Sequence, residues 1–474
     1  MPLVGSFVMP HPPIAVPEVG KGEEAAIPAT LRAFEDAAEI IAALRPDTIV
    51  LVSPHAMTYF DAFRIADVKR WKSNLESFNA PEARVDFPYD QELAEFLAET
   101  GRKSGFTTLL EDAGESEMRD HGSFVPLYFI QKSVPKSTKL VRLSFCGLDH
   151  ARHVEFGRVL GKAFDERPER IVFVASGDLS HRLRTTGPYG LNRKAPIFEN
   201  KVLSYLALGQ LEKVAELDPE RCDEVGECGI RSICMLAGIM EGRDYVPRLM
   251  SHEATFGVGY AIAAFLPPES MHKEVLTARF ALESFVRDEQ KKDEDRTVIT
   301  PEDVPFISEL KKQQAGAFVS LHMKPEKGQK EGPLRGCIGT ISASKENLAE
   351  EIIAMAIAAG WEDPRFDEME IDELPNLVYN VDVLGDPEPI EGPEFLDPKR
   401  YGVIVTDGMR RGLLLPDLPD VTSIRDQVAI AREKAGISAD EDYRLERFEV
   451  KRYPDEIMID ENTVFPPLGE QDEN

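Results

Sequence analysis

Four apolar runs in this 474-residue chain each end on a residue able to bind a metal or move a proton. SFVMPH reaches His11, TIVLVSPH reaches His55, RIVFVASGDLSH reaches His181, and VPRLMSHE reaches His252 and Glu253. Two imidazoles and one carboxylate on one face of a divalent iron leave positions open for substrate and dioxygen; zinc accepts the same ligand types around a bound water. The set His11, His55 and Glu253 therefore reads as an oxygenase or a hydrolase centre. Pro10 and Pro12 restrict the backbone around His11, which suits a positioned side chain and equally a proline-rich turn. His181, beyond Gly177 in SGDLSHRL, is an acid/base candidate because imidazole changes charge near physiological pH. Capping a helix or bonded to Asp178, it would be structural only. His121 in DHGSFVPL is a donor oriented by Asp120, a substrate contact or a turn residue.

Residues so distant in sequence meet only if strand ends bring them together. In open α/β sheets ligands bind beyond the carboxyl ends of the strands, where such residues converge. Helical periodicity in Leu31, Phe34, Ala38, Ile41 and Leu44, in QELAEFLAET and in GIRSICMLAGIM alternates with the strand-like TIVLV, KLVRLSF and RIVFVAS. The pattern predicts an α/β layered sandwich around a central, mostly parallel sheet over residues 1–268. LPPES then interrupts, and shorter mixed elements predict a smaller α+β domain over 269–459, with 460–474 as a frayed tail. The run RDEQKKDEDR, Arg287 to Arg296, reads as a solvated helix end and loop.

A formal net charge of -29 argues against nucleic acid as a partner, because broad phosphate binding needs clustered Lys and Arg. GYAIAAFL is too short to span a bilayer and MPLVGSFV lacks a basic leader, so the expectation is a soluble cytoplasmic protein with no membrane partner. Five cysteines without CxxC spacing build neither a disulfide framework nor a zinc site. Cys222, Cys228 and Cys234 recur every six residues, which a helix would not align, so they read as ordinary thiols. In LRGCIGT, Arg335 would favour the thiolate of Cys337 if the side chains meet; a buried strand cysteine is the alternative. Trp361 to Phe366 frames a pocket or is packing. Tyr59, Phe60 and Phe124 are candidate apolar walls.

VMPHPP, LVSPHAMTYF, DHGSFVPL, SGDLSHRL with the later GPYG, and SHEATFGVGYAIA resemble, in that order, the class III extradiol dioxygenase (LigB-like) family and its Memo relatives. The resemblance covers about Pro2 to Phe265. It implies iron(II) ligation by His11, His55 and Glu253, acid/base work by His181, a substrate contact or ligand-orienting role for His121, and cleavage of a catechol or related vicinal diol. Memo-type relatives imply the alternative, a metal- or ligand-binding accessory protein without ring cleavage. GAFVSL, LRGCIGT, WEDPRF, YGVIVTDGMRRGLLLP and YRLERFEV resemble the AMMECR1 domain from about His272 to Tyr453. A chain joining the two resembles proteins of the system named for AMMECR1, Memo and radical SAM components, which implies a radical SAM enzyme as partner. The sequence leaves room for a homo-oligomer.

Overall fold

The computed structural model describes residues 2–114, 119–289, 300–301, 304, 307–325, 329, 332–418, 421–438 and 440–455. They form two compact units, one ending at Ser270 and one starting at Met271.

The first unit contains β1 (Leu3–Met9), β2 (Thr48–Ser53), β3 (Phe63–Asp67), β4 (Arg70–Leu75), β5 (Ala80–Pro88), β6 (Thr108–Asp112), β7 (Lys139–Ser144), β8 (Ile171–Ser176), β9 (Val246–Glu253) and β10 (Tyr260–Leu266). Eight of these form one sheet in the order β6-β3-β7-β2-β8-β1-β10-β9, and β4 and β5 pair separately. The centre is parallel, with β2 between β7 and β8, and β8 beside β1. All residues of β1, β2 and β8 are buried, as Val- and Ile-rich runs without alternation require when helices cover both faces. Antiparallel β10 and β9 and the antiparallel pairing of β3 with β7 make the sheet as a whole mixed. Since β1, β2 and β8 run the same way, their carboxyl ends share one edge. Phe124, expected as a pocket wall, is fully buried in the helix His121–Ile130, so it serves the core.

The second unit carries an antiparallel sheet in the order β12-β11-β13-β17-β15-β16, with β14 also on β17. Its strands are β11 (Ala317–Met323), β12 (Leu334–Gly339), β13 (Leu377–Leu384), β14 (Glu388–Ile390), β15 (Tyr401–Thr406), β16 (Arg411–Leu414) and β17 (Arg444–Pro454). In β11 the odd-numbered positions Ala317, Val319 and Leu321 are buried and the residues between them are not, the period of a strand with one face on a core. Arg287 and Asp288, expected on a solvated helix end, are instead buried in the helix Lys273–Glu289, where Arg287 lies 4.0 Å from Glu283. A carboxylate one helical turn away makes that burial tolerable. Positions 290–296 of that charged run and the tail 460–474 lie outside the described residues. No helix among the described residues is long and apolar enough to cross a membrane.

Candidate metal centre

Just past the shared edge, β1 gives way to Pro10 and His11, β2 to Pro54 and His55, and β8 to Gly177 and Asp178. His11 is 1% exposed. Its backbone N–H donates to Asp178 Oδ1 at 2.8 Å, and its Nδ1 lies 3.0 Å from Ser176 Oγ. The Ser176 hydroxyl also stands 2.6 Å from the Gly122 carbonyl, which can only accept, so the hydroxyl proton goes there. Ser176 Oγ therefore accepts from Nδ1–H of His11, and Nε2 of His11 keeps its lone pair.

The Gly122 carbonyl is free to accept because the residue four positions on is Pro126, inside the same helix and without an N–H. A helix proline thus helps set the tautomer of a histidine in another element. The Nε2 it leaves bare faces Nε2 of His55 at 3.0 Å. His121 stacks on His55 with ring centroids 4.2 Å apart and meets His11 edge-on at 5.4 Å. Among the described residues, His11, His55 and His121 form the group whose ligand atoms all lie within 4.8 Å of one another.

Two glycines permit this approach. A Cβ on Gly122 would sit 2.4 Å from Ser53 Oγ and 3.3 Å from His55 Cδ2, so only glycine lets the helix start close against the β2 end. A Cβ on Gly177 would fall 2.1 Å from the Gly229 Cα, so this glycine allows the loop of Gly226–Gly229 to lie on the β8 end.

That loop delivers Cys228, whose Sγ is 3.6 Å from His11 Nε2 and accepts from the Asp178 N–H at 3.3 Å. Cys228, a free thiol, thus stands beside the His11 ring. Cys222 belongs to the helix Pro219–Val225, Cys234 to the helix Ile230–Met240, and Cys228 to the loop between, so no common helical face was ever at issue. A thiol within the short stretch Gly226–Gly229 was the available signal.

Glu253 is placed elsewhere. It ends β9 still paired with Tyr260 of β10, and its Oε2 accepts from both N–H and Oγ1–H of Thr30, each at 2.7 Å. The start of a neighbouring helix has claimed the carboxylate. His252 bonds the buried Glu199 at 2.9 Å. His181 is coupled electrostatically to His55 and His11; its ring tilts over Tyr189 at 5.3 Å, and its buried Nε2 has no hydrogen-bond partner. His150 and His153 lie outside the cluster.

Burial dominates the electrostatics. It holds His11 well below the usual imidazole range, with the neighbouring rings of His55, His121 and His181 adding to the effect. Burial, then His55, takes His121 down to about 4, with Asp120 opposing; burial and then His55 do the same for His181. These rings are neutral at pH 7, the form that ligates a metal. Burial likewise raises Asp178 to about 7 and pushes the Cys228 thiol well up.

In the second unit the condition for activating Cys337 through Arg335 is not met by the arginine's hydrogen bonds. Its guanidinium grips Glu373 through Nε and Nη2 at 2.7 and 2.9 Å. Cys337 Sγ lies 3.2 Å from Ser320 Oγ, and the arginine beside it is Arg365, which donates to the Cys337 carbonyl at 3.1 Å while paired with Asp363. Arg335, Pro364, Arg365 and Phe366 line an open cavity of about 590 Å³, while Trp361 packs on Phe285.

Residues 5–263, over half the chain, match the family described as the catalytic LigB subunit of aromatic ring-opening dioxygenase. The chain belongs to the LigB family. Residues 275–458 match AMMECR1, so a LigB domain is fused to an AMMECR1 domain. Protein CA_C1420 of Clostridium acetobutylicum is 39% identical over 96% of this chain and 99% of its own length, so the fusion itself has a full-length relative. A Thermotoga maritima protein is 51% identical over 33% of this chain and 86% of its own. Among solved structures, the uncharacterised Pyrococcus horikoshii protein PH0010 is 32% identical at a TM-score of 0.32, covering 38% of this chain and 91% of that one. The uncharacterised Escherichia coli protein JW3007 is 18% identical at a TM-score of 0.36, covering 55% and 99%.

Proposed function

We propose that the LigB domain holds one divalent metal through Nε2 of His11 and Nε2 of His55, and acts on a vicinal aromatic diol brought to it. The observation that carries the reading is the 3.0 Å approach of those two nitrogens, one of them fixed as a bare lone pair by Ser176 and Gly122. Neutral imidazoles suit iron(II) and zinc alike, and in this reading the third donor in place of Glu253 is His121, which belongs to the same close group, or Cys228, 3.6 Å from His11 Nε2. Bound iron(II) would supply the electron density that lets a diol react with dioxygen and open the ring beside its hydroxyls. The buried, unbonded Nε2 of His181 would take a hydroxyl proton from the diol and return it later. Ser176 and Asp178 hold His11 still while this happens.

Cys228 favours a second reading: a soft donor beside His11 suits a metal-binding accessory protein that cleaves no ring and serves a partner enzyme, for which a radical SAM enzyme is the candidate. One experiment separates the two. Protein purified without oxygen and reloaded with iron(II) is offered a panel of catechols while oxygen uptake and ring-opened product are followed. Uptake that His181→Ala abolishes with iron retained supports the first reading. Fully loaded protein that consumes no oxygen with any diol sinks it and leaves the second.

A further inference from the structure

Strand β9 ends on two neighbouring residues that are held differently. Glu253 is bonded by Thr30, while His252 meets Glu199, a buried residue of the helix Ala195–Ala207. Glu199 Oε1 lies 2.9 Å from His252 Nε2, and Oε2 accepts from the Ser180 N–H at 3.0 Å. Ser180 is fully buried and directly precedes His181. A Cβ on Gly259 would sit 1.6 Å from Glu199 Oε1, so that position admits no side chain while the carboxyl group is there. Gly259 also bonds the same segment through its backbone: its carbonyl accepts from the Leu179 N–H at 2.9 Å, and its N–H donates to the Ser180 carbonyl at 2.8 Å. From the other side the Val225 carbonyl, three residues before Cys228, accepts from the His181 N–H at 3.2 Å and the Ser180 hydroxyl at 3.1 Å. The segment carrying His181 is thus clamped between the start of β10 and the loop that carries Cys228, and Glu199 closes the clamp from a separate helix. A buried carboxyl group with both oxygens engaged holds its partners in one geometry, because releasing either leaves a polar group unpaired in the core.

Resting on the reading of His181 as the acid/base group, we propose that Glu199 is its positioning residue. Backed by His252, it fixes the Ser180 N–H and through it the place of the His181 ring.

The full chain as purified is labelled with diethyl pyrocarbonate, the rate at His181 is read by peptide mass spectrometry, and metal content is measured on the same samples. The buried Nε2 of His181 should label slowly in the wild type. Glu199→Ala should speed labelling by about tenfold, since it leaves the Ser180 N–H unpaired. Glu199→Gln should restore the slow rate, because an amide can still accept from Ser180 and donate to His252. Gly259→Ala should repeat the Glu199→Ala result with the carboxyl group displaced instead of removed. Thr30→Val, which strips a donor from Glu253 next to His252, should leave labelling at the wild-type rate and so controls for general loosening of β9. With iron(II) and a catechol, Glu199→Ala should lower kcat by about tenfold with little change in KM, the mark of a misplaced proton-transfer group. Wild-type labelling in both Glu199→Ala and Gly259→Ala overturns the proposal whether or not a ring is opened, and so does equal acceleration in Thr30→Val. The labelling contrast in a protein that opens no ring upholds the positioning role and overturns the diol reading alone.

Discussion

The LigB domain contains two histidine–cysteine pairs that look alike by distance and differ in what surrounds them. His153 Nε2 lies 3.9 Å from Cys146 Sγ, and His11 Nε2 lies 3.6 Å from Cys228 Sγ. At His153 both ring nitrogens are used by the backbone: Nε2 accepts from Cys146 N–H at 3.3 Å, and Nδ1 donates to the Asp149 carbonyl at 2.7 Å. At His11 only Nδ1 is satisfied, by the side-chain hydroxyl of Ser176, and Nε2 faces another imidazole, a thiol and a carboxylate. Satisfied nitrogens on both sides of a ring make a structural histidine; one bare nitrogen among several potential donors makes a ligand. The AMMECR1 domain resembles the first case, with Arg335 on Glu373, Arg365 on Asp363, and Glu351 accepting from Thr340, Ser344 and Lys345.

The largest expected effect tests this distinction directly. His11→Ala should lose metal by a factor of a hundred or more, read by metal analysis after equilibrium dialysis. His153→Ala should leave metal content unchanged while lowering stability by about 2 kcal/mol, because it orphans a buried N–H and a carbonyl. Equal metal loss in both variants would erase the difference. Next in size is the thiol: in cobalt-substituted protein, Cys228→Ser should remove any thiolate-to-metal absorption band and Cys146→Ser should not. A band unchanged in Cys228→Ser would return the third-donor role to His121.

A smaller effect is expected from the residues that set the tautomer. Ser176→Ala removes the acceptor for His11 Nδ1–H, and such partners are typically worth 10–100-fold in metal affinity. Pro126→Ala restores an N–H that competes with Ser176 for the Gly122 carbonyl, so it should weaken metal binding in the same direction and by less. Tighter binding in Pro126→Ala would refute the relay.

How much of this was legible from the sequence depends on what each residue needs in order to be placed. His11, His55 and His181 could be seen because each closes an apolar run, and parallel strands carry their ends to one edge whatever lies between. His121 could be seen as a candidate, but its stacking on His55 needs Gly122 to be small at a distance no spacing rule expresses. Glu253 misled because a strand-end position says nothing about competition, and Thr30, more than two hundred residues away, offers two donors to its carboxylate. Cys228 was hidden by treating three cysteines as one helical repeat when two helices and a loop hold them. The domain order was carried by motif order alone; the buried Arg287 shows how a charged run misreports exposure when its partners sit one helical turn away.

The smallest effect concerns pH. Burial takes His153 down to about 4, with its hydrogen bond to Asp149 opposing. In the unfolded chain its pKa is about 6.5, so between those values the unfolded state binds the extra proton. Stability of the metal-free protein should therefore fall as the pH is lowered through that window, by about 3 kcal/mol at most from this residue. The cluster histidines contribute with the same sign, and loaded metal should steepen their share because protons then compete with it. His153→Gln removes one titrating ring without touching the cluster. Chemical denaturation at a series of pH values should show a shallower slope for His153→Gln, with the metal-dependent part of the slope kept. A slope that loses its metal-dependent part instead would mean that His153 and His11 are coupled, and that the two pairs are one site.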